Sequence, residues 1–189
     1  YASRGLGDVY KRQILLKRKL LFAPGDAGSK NYRIPAIITA ADGSLVVATD
    51  KRKNNQGDLP EDIDVVIRRS EDGGITWSEP QTIAEGTGAR RGFGDAGLVH
   101  TTEENGLLCI FVGGEGIFNN SSPSNPTRTY VCKSTDNGKT WSAPRDITEQ
   151  LYGTACTVTE RQGWYASFCA SGNLSLIHIS EPTRRVVIS

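Results

Sequence analysis

Apolar residues in this chain fall in short runs, and turn-forming residues separate the runs. Ile34-Pro35-Ala36-Ile37-Ile38 is followed by Asp42-Gly43, then by Leu45-Val46-Val47-Ala48-Thr49, and later by Val65-Val66-Ile67. Runs of this length, rich in β-branched residues and bounded by Gly, Pro, Asn and Asp, predict strands. The pattern gives strands at 33–39, 45–51, 64–70, 81–84, 97–101, 107–113, 129–134, 145–148, 154–159 and 164–169. No segment sustains a helical period beyond about two turns, so the predicted class is all-β. Pro35 is expected to hold Ile34 extended, with Arg33 emerging where the first strand begins.

Two stretches repeat each other. Ser70-Glu71-Asp72-Gly73-Gly74-Ile75-Thr76-Trp77 and Ser134-Thr135-Asp136-Asn137-Gly138-Lys139-Thr140-Trp141 share the pattern S-x-D-x-G-x-T-W. Each is followed by Ser and, two positions on, by Pro80 or Pro144. Asp72 and Asp136 can accept backbone N–H groups within a turn. Gly74 and Gly138 supply positive φ. Thr76 and Thr140, followed by Trp77 and Trp141, then begin the return strand, with each indole ring expected to be buried against its hairpin. The motif is a folding device; an EF-hand loop would need more acidic positions and a terminal Glu. A hairpin that recurs in a strand-rich chain predicts the blades of a propeller.

Composition narrows the function. The chain has 189 residues, 37% hydrophobic and 23% charged, which suits one globular domain. Its net charge of +1 offers no basic field for nucleic acid. No apolar run is long enough to span a membrane as a helix. Cys109, Cys132, Cys156 and Cys169 lack the spacing of a zinc site and are read as buried thiols. Two histidines, His100 and His178, leave little material for a His-based triad or metal site. No metal and no cofactor are therefore expected. Gly92-Phe93-Gly94-Asp95-Ala96-Gly97 satisfies G-x-G-x-x-G, but a strand rather than a helix follows it, so a dinucleotide site is rejected.

Polar loops beside the apolar strands hold the candidate chemistry. Lys51-Arg52-Lys53 leads into a loop containing Asp58, with Asp62 and Asp64 beyond it. Asp62 and Asp64 are read as structural, and Lys51 and Lys53 as solvated. Segment 1–13 has neither an apolar core nor a signal peptide's pattern, and 7–13 and 175–184 resemble chance translations of sequencing adapters, the alternative being natural tails. Segments 1–13 and 175–189 are expected to be non-native tails around a native segment, 14–174, that is itself a piece of a longer protein.

Arg33-Ile34-Pro35, the two Asp boxes, and Arg52 six residues before Asp58 together resemble the bacterial exo-α-sialidases, or neuraminidases. The resemblance covers about 22–174. It implies a six-bladed β-propeller, of which this chain holds about two blades and part of a third. It also implies that Arg33 is one of three arginines binding the substrate carboxylate, a task suited to a planar, permanently charged fork. Asp58 matches the acid/base aspartate, Arg52 an arginine near the sugar's 4-hydroxyl, and Asp95 an aspartate contacting the same region. The family's nucleophile is a tyrosine. No residue here matches it, and Tyr152 and Tyr165 are left unassigned. Phe93 and Phe118 are read either as lining an N-acetyl pocket or as packing residues. The implied partners are sialylated glycans, and the implied location is secreted or periplasmic. The alternative is a non-catalytic Asp-box propeller serving as a binding or scaffold module; a glycosidase for neutral sugars would lack the carboxylate-binding arginine.

Overall fold

A computed structural model describes residues 19–116, 121–168 and 172–174. The two expected tails, Phe118, Cys169 and His178 lie outside these described residues.

The apolar runs form two sheets built from consecutive hairpins. Strands β1 (Asn31–Thr39), β2 (Leu45–Arg52), β3 (Ile63–Ser70) and β4 (Gln81–Ala84) make the first, in the order β1-β2-β3-β4. Strands β5 (Phe93–His100), β6 (Leu107–Gly113), β7 (Arg128–Ser134) and β8 (Arg145–Asp146) repeat that meander. A short strand, β9 (Gly172–Asn173), adds parallel to β5 at the edge of the second sheet. These are two blades of a β-propeller, a partial one within this chain.

The blades pack face to face. Ala36, Val46, Ala48, Val65 and Ile67 of the first share one core with Ala96, Leu98, Cys109, Phe111 and Cys132 of the second. Phe93 stands edge-on to Phe111 and Tyr130, with ring centroids 5.7 and 5.0 Å away. It is therefore a packing residue of the second blade, set against the shared core. The thiols follow the same logic: Cys109, Cys132 and Cys156 are buried, and burial pushes Cys132 up to about 12.

Both Asp boxes close hairpins, between β3 and β4 and between β7 and β8, with the same bonds. Ser70 Oγ accepts the Gly74 N–H at 2.8 Å, and Asp72 accepts the N–H of Thr76 at 2.8 Å. Ser134 Oγ accepts the Gly138 N–H and Asp136 accepts the Thr140 N–H, each at 2.9 Å. Hydrogen bonds from the Thr76 hydroxyl and N–H hold Asp72 down to about 2. Burial pushes Asp136 the other way, but the bonds from Thr140 outweigh it and its carboxyl also lies below the ordinary value. Gly74 and Gly138 sit at φ +91 and +81, and a Cβ on Gly138 would meet Val46 of the other blade at 2.8 Å. The second box therefore also fits the blades together.

Several expectations are corrected. Trp77 and Trp141 are half-buried rather than buried: each Nε1 donates to the carbonyl of Gly74 or Gly138 in its own turn, and Trp141 still packs against the shared core. Residues 154–159 and 164–168 are not strands. A helix, α1 (Thr148–Leu151), and a 3-10 turn at Thr159–Arg161 occupy this region, which also shortens β8. Strand propensity needs a neighbour to pair with. Here the region instead hangs on β7 and the residue before it through single contacts, such as Thr129 N–H to Thr148 Oγ1 and Thr127 N–H to the Tyr165 carbonyl.

Candidate functional site

Hairpin order decides which loops share an end of the blades. Arg52 pairs with Ile63, and Leu45 pairs with Ser70, the first residue of the first Asp box. At ~3.3 Å per residue, β2 therefore separates Arg52 from that box by roughly 23 Å. The β2–β3 loop and the starts of β1 and β5 lie at one end, with the boxes at the other.

The innermost strands of both blades are interrupted at the same place. The β1–β2 register skips between Arg33 and Ala36, and the β5–β6 register skips between Gly94 and Gly97. Each skip inserts one extra residue, a bulge of the kind that re-aims side chains beside functional sites. Ile34 has φ +56 and Asp95 has φ +58. Ile34 is thus not extended as its neighbour Pro35 predicts. The left-handed region is costly for a β-branched residue, and such strain persists only where surrounding structure enforces it. One enforcing contact is the Thr49 hydroxyl, which donates to the Arg33 carbonyl at 2.7 Å.

Arg33 and Asp95, at the two bulges, share one charged cluster with Arg52 at the end of β2 and Asp58 in the β2–β3 loop. Arg52 Nη1 lies 2.7 Å from Asp58 Oδ1, and Arg33 Nη1 lies 3.4 Å from the same oxygen. The Asp95 carboxyl feels Asp58, Arg52 and Arg33: burial raises its proton affinity first, Asp58 adds to that, and the two arginines oppose it. Accessibility divides the group. The side chains of Arg33 and Asp58 are 44% and 67% exposed, whereas Arg52 is 2% exposed. Arg52 also donates to the carbonyls of Gln56 and Gly57, so its guanidinium shapes the loop that carries Asp58. Arg33 and Asp58 are thus the solvent-facing members of the cluster, paired with each other at 3.4 Å.

Sequence reasoning missed Asp50. It is 1% exposed and pairs with Arg52 Nη2 at 3.1 Å. Its signal was available: a carboxylate ending the apolar run Leu45–Thr49 must be paired if buried. Burial and then repulsion from Asp95 push Asp50 up to about 7, against the pull of Arg52 and the Asp95 N–H. Unfolded, the group keeps a value near 3.8, so the folded state holds its proton more tightly. The stabilisation linked to Asp50 is complete below about pH 4 and is lost as pH rises through about 7. Between about pH 5 and pH 8 the wild-type melting temperature should therefore fall more than that of Asp50→Asn. Parallel slopes in a melting series would contradict this.

Neighbouring charges are structural. Asp64 accepts the Gly86 N–H and pairs with Lys53 at 2.9 Å, and Lys53 also reaches Asp62 at 3.2 Å. Lys51 pairs with Asp64 at 3.5 Å. Lys51 and Lys53 are thus held in ion pairs, 17% and 22% exposed, and are not the solvated residues expected; two acids beneath them offset their desolvation. Among the described residues no cluster of His, Cys, Asp and Glu could hold a metal ion, and no helix is long and apolar enough to cross a membrane.

Two Asp-box blades with a paired arginine–carboxylate cluster at the opposite end define an Asp-box β-propeller. The family of BNR repeat-like domains matches residues 43–174, and the chain belongs to it. A sialidase of Bacteroides fragilis is 36% identical over 142 residues, which are 67% of this chain and 26% of that protein. A sialidase of Micromonospora viridifaciens is 34% identical over 157 residues, 78% of this chain and 23% of that protein. The chain thus spans about a quarter of the length of these relatives. Among solved structures, the Hadza microbial sialidase Hz136 superimposes with a TM-score of 0.69 at 26% identity, over 82% of this chain and 32% of the other. The NanB sialidase of Streptococcus pneumoniae shares the fold, with a TM-score of 0.65 at 12% identity, over 82% and 40% of the two chains.

Proposed function

We propose that this chain carries part of the active site of a retaining exo-α-sialidase, which removes terminal α-linked sialic acids from glycoconjugates. Arg33 binds the substrate carboxylate through its guanidinium fork. Asp58 protonates the leaving oxygen and then activates water. Asp95 faces the sugar's 4-hydroxyl, and Arg52, 2% exposed, meets that hydroxyl once Asp58 and its loop shift for the substrate. The observation that supports this reading is the convergence of Arg33 and Asp58, both reachable from solvent, on one end of the blades. A binding or scaffold propeller has no need of that convergence.

A neutral phenol is a suitable nucleophile towards a centre that already bears a carboxylate, since a second anion would be repelled. Tyr152 does not fit that role: it is buried, and its hydroxyl donates to the Thr127 carbonyl. On this reading the nucleophile and the other two carboxylate-binding arginines belong to a longer parent chain, which works in secreted or periplasmic form. The 189-residue chain by itself is then expected to be inactive. Extended by its native continuation to the length of its relatives, it should hydrolyse a fluorogenic sialoside. An extended, folded chain that leaves the sialoside intact would refute the assignment. Full activity from the 189-residue chain would refute the placement of the nucleophile.

A further inference from the structure

Asp50 belongs to none of the motifs read in the sequence, yet three of the site residues are attached to it. It is the register partner of Arg33 across the β1–β2 ladder. Its Oδ2 accepts from Arg52 Nη2 at 3.1 Å, and its Oδ1 accepts the backbone N–H of Asp95 at 2.9 Å. The second bond crosses from one blade to the other and ties down the residue at the β5 bulge. Gly94 makes room for it, since a Cβ there would lie 3.0 Å from Asp50 Oδ2.

We infer that Asp50 is a positioning residue that locks Arg52 and Asp95 into one unit facing the sugar's 4-hydroxyl, and so sets the enzyme's demand for that hydroxyl. The inference rests on the sialidase reading and adds to it a residue and a specificity. A carboxylate has two acceptor oxygens, and each is used here by a different donor. Asn is the same size but offers one oxygen and one NH2, so it can keep Asp95 or Arg52 but not both. The released partner then drifts, and a misplacement of about 1 Å costs on the order of 10²-fold in rate.

The test measures kcat/KM of the extended chain at about pH 8, where the Asp50 carboxyl is ionised, on a fluorogenic sialoside and on its 4-deoxy analogue. Wild type should prefer the parent substrate by about 10²-fold or more, because the analogue leaves its polar partners unpaired. Asp50→Asn should lose about 10²-fold on the parent, with its preference reduced to within about 3-fold. A purely structural role would lower both substrates together and leave the ratio unchanged. Gly94→Ala keeps the charge and crowds the same oxygen, so it should shrink the ratio too, and it covers the case in which Asp50→Asn does not fold. A wild type indifferent to the 4-hydroxyl, or a ratio unchanged in both variants, overturns the inference. Asp58→Ala is the control for the underlying reading: it should leave the 4-hydroxyl ratio unchanged and slow a sialoside with an alkyl aglycone by about 10²-fold or more, and an Asp58→Ala unimpaired on that alkyl sialoside would sink the sialidase assignment itself.

Discussion

Asp58→Ala in the extended chain is expected to lower kcat by about 10²–10⁴-fold on a sialoside with an alkyl aglycone, and far less on one with a good aryl leaving group. Protonation of the leaving oxygen is needed only where the departing alkoxide is a poor anion, so the two substrates separate the acid from any other role. The geometry suits the task. Asp58 sits on an exposed loop, yet that loop is held from beneath by the Arg52 guanidinium through the carbonyls of Gln56 and Gly57. Its carboxylate therefore has access to a substrate without being free to wander. Removing it also deletes the anion nearest Arg33, which leaves that arginine open to the substrate carboxylate. Binding should then be maintained or tightened while turnover falls. Equal losses on both substrates, or a weaker Kd as the main effect, would contradict the acid role.

Arg52→Ala is expected to destabilise the fold by about 3–5 kcal/mol, the usual cost of breaking a buried ion pair from one side. Arg52 is 2% exposed and Asp50 1%, so at about pH 8, where Asp50 is ionised in the wild type, the truncation leaves it inside the blade seam as an unpaired charge or forces it to take up a proton. It also frees the carbonyls of the loop bearing Asp58. The double variant Arg52→Met with Asp50→Leu should recover most of that loss, because a buried pair exchanged for apolar residues of similar volume is often neutral. Denaturant titration measures both. A single variant within about 1 kcal/mol of wild type would show that the pair carries no such burden.

The blades were legible because strand period and turn chemistry agree. Leu45-Val46-Val47-Ala48-Thr49 reads as a strand from its β-branched run, and the two Asp boxes read as hairpins from Ser, Asp, Gly and Thr at fixed offsets. Legibility failed where long-range pairing decides. Residues 154–159 have strand-like composition but, among the described residues, no ladder partner, so tertiary context overrides propensity. Ile34 was misread because the local preference before a proline is a backbone average, whereas the β1 bulge is imposed by pairing with Asp50 and Ala48. Lys51 and Lys53 looked solvated because nothing in sequence shows that Asp62 and Asp64 lie beneath them. Arg33, Arg52, Asp58 and Asp95 were selected through a family resemblance, and their proximity could not be read from spacing alone. Asp50, which joins Arg52 to Asp95, carried only a weak local signal.

Arg33 and Asp58, 3.4 Å apart, are assigned to neighbouring groups of one substrate, the carboxylate and the leaving oxygen carried by the same centre. A structure of the extended chain with a bound sialic acid tests this central claim directly. The sugar carboxylate should lie within about 2.7–2.9 Å of the Arg33 guanidinium, with the Asp58 carboxyl shifted off Arg33 towards the glycosidic oxygen. A sugar seated with its carboxylate away from Arg33, or with Asp58 more than one water from that oxygen, would contradict it.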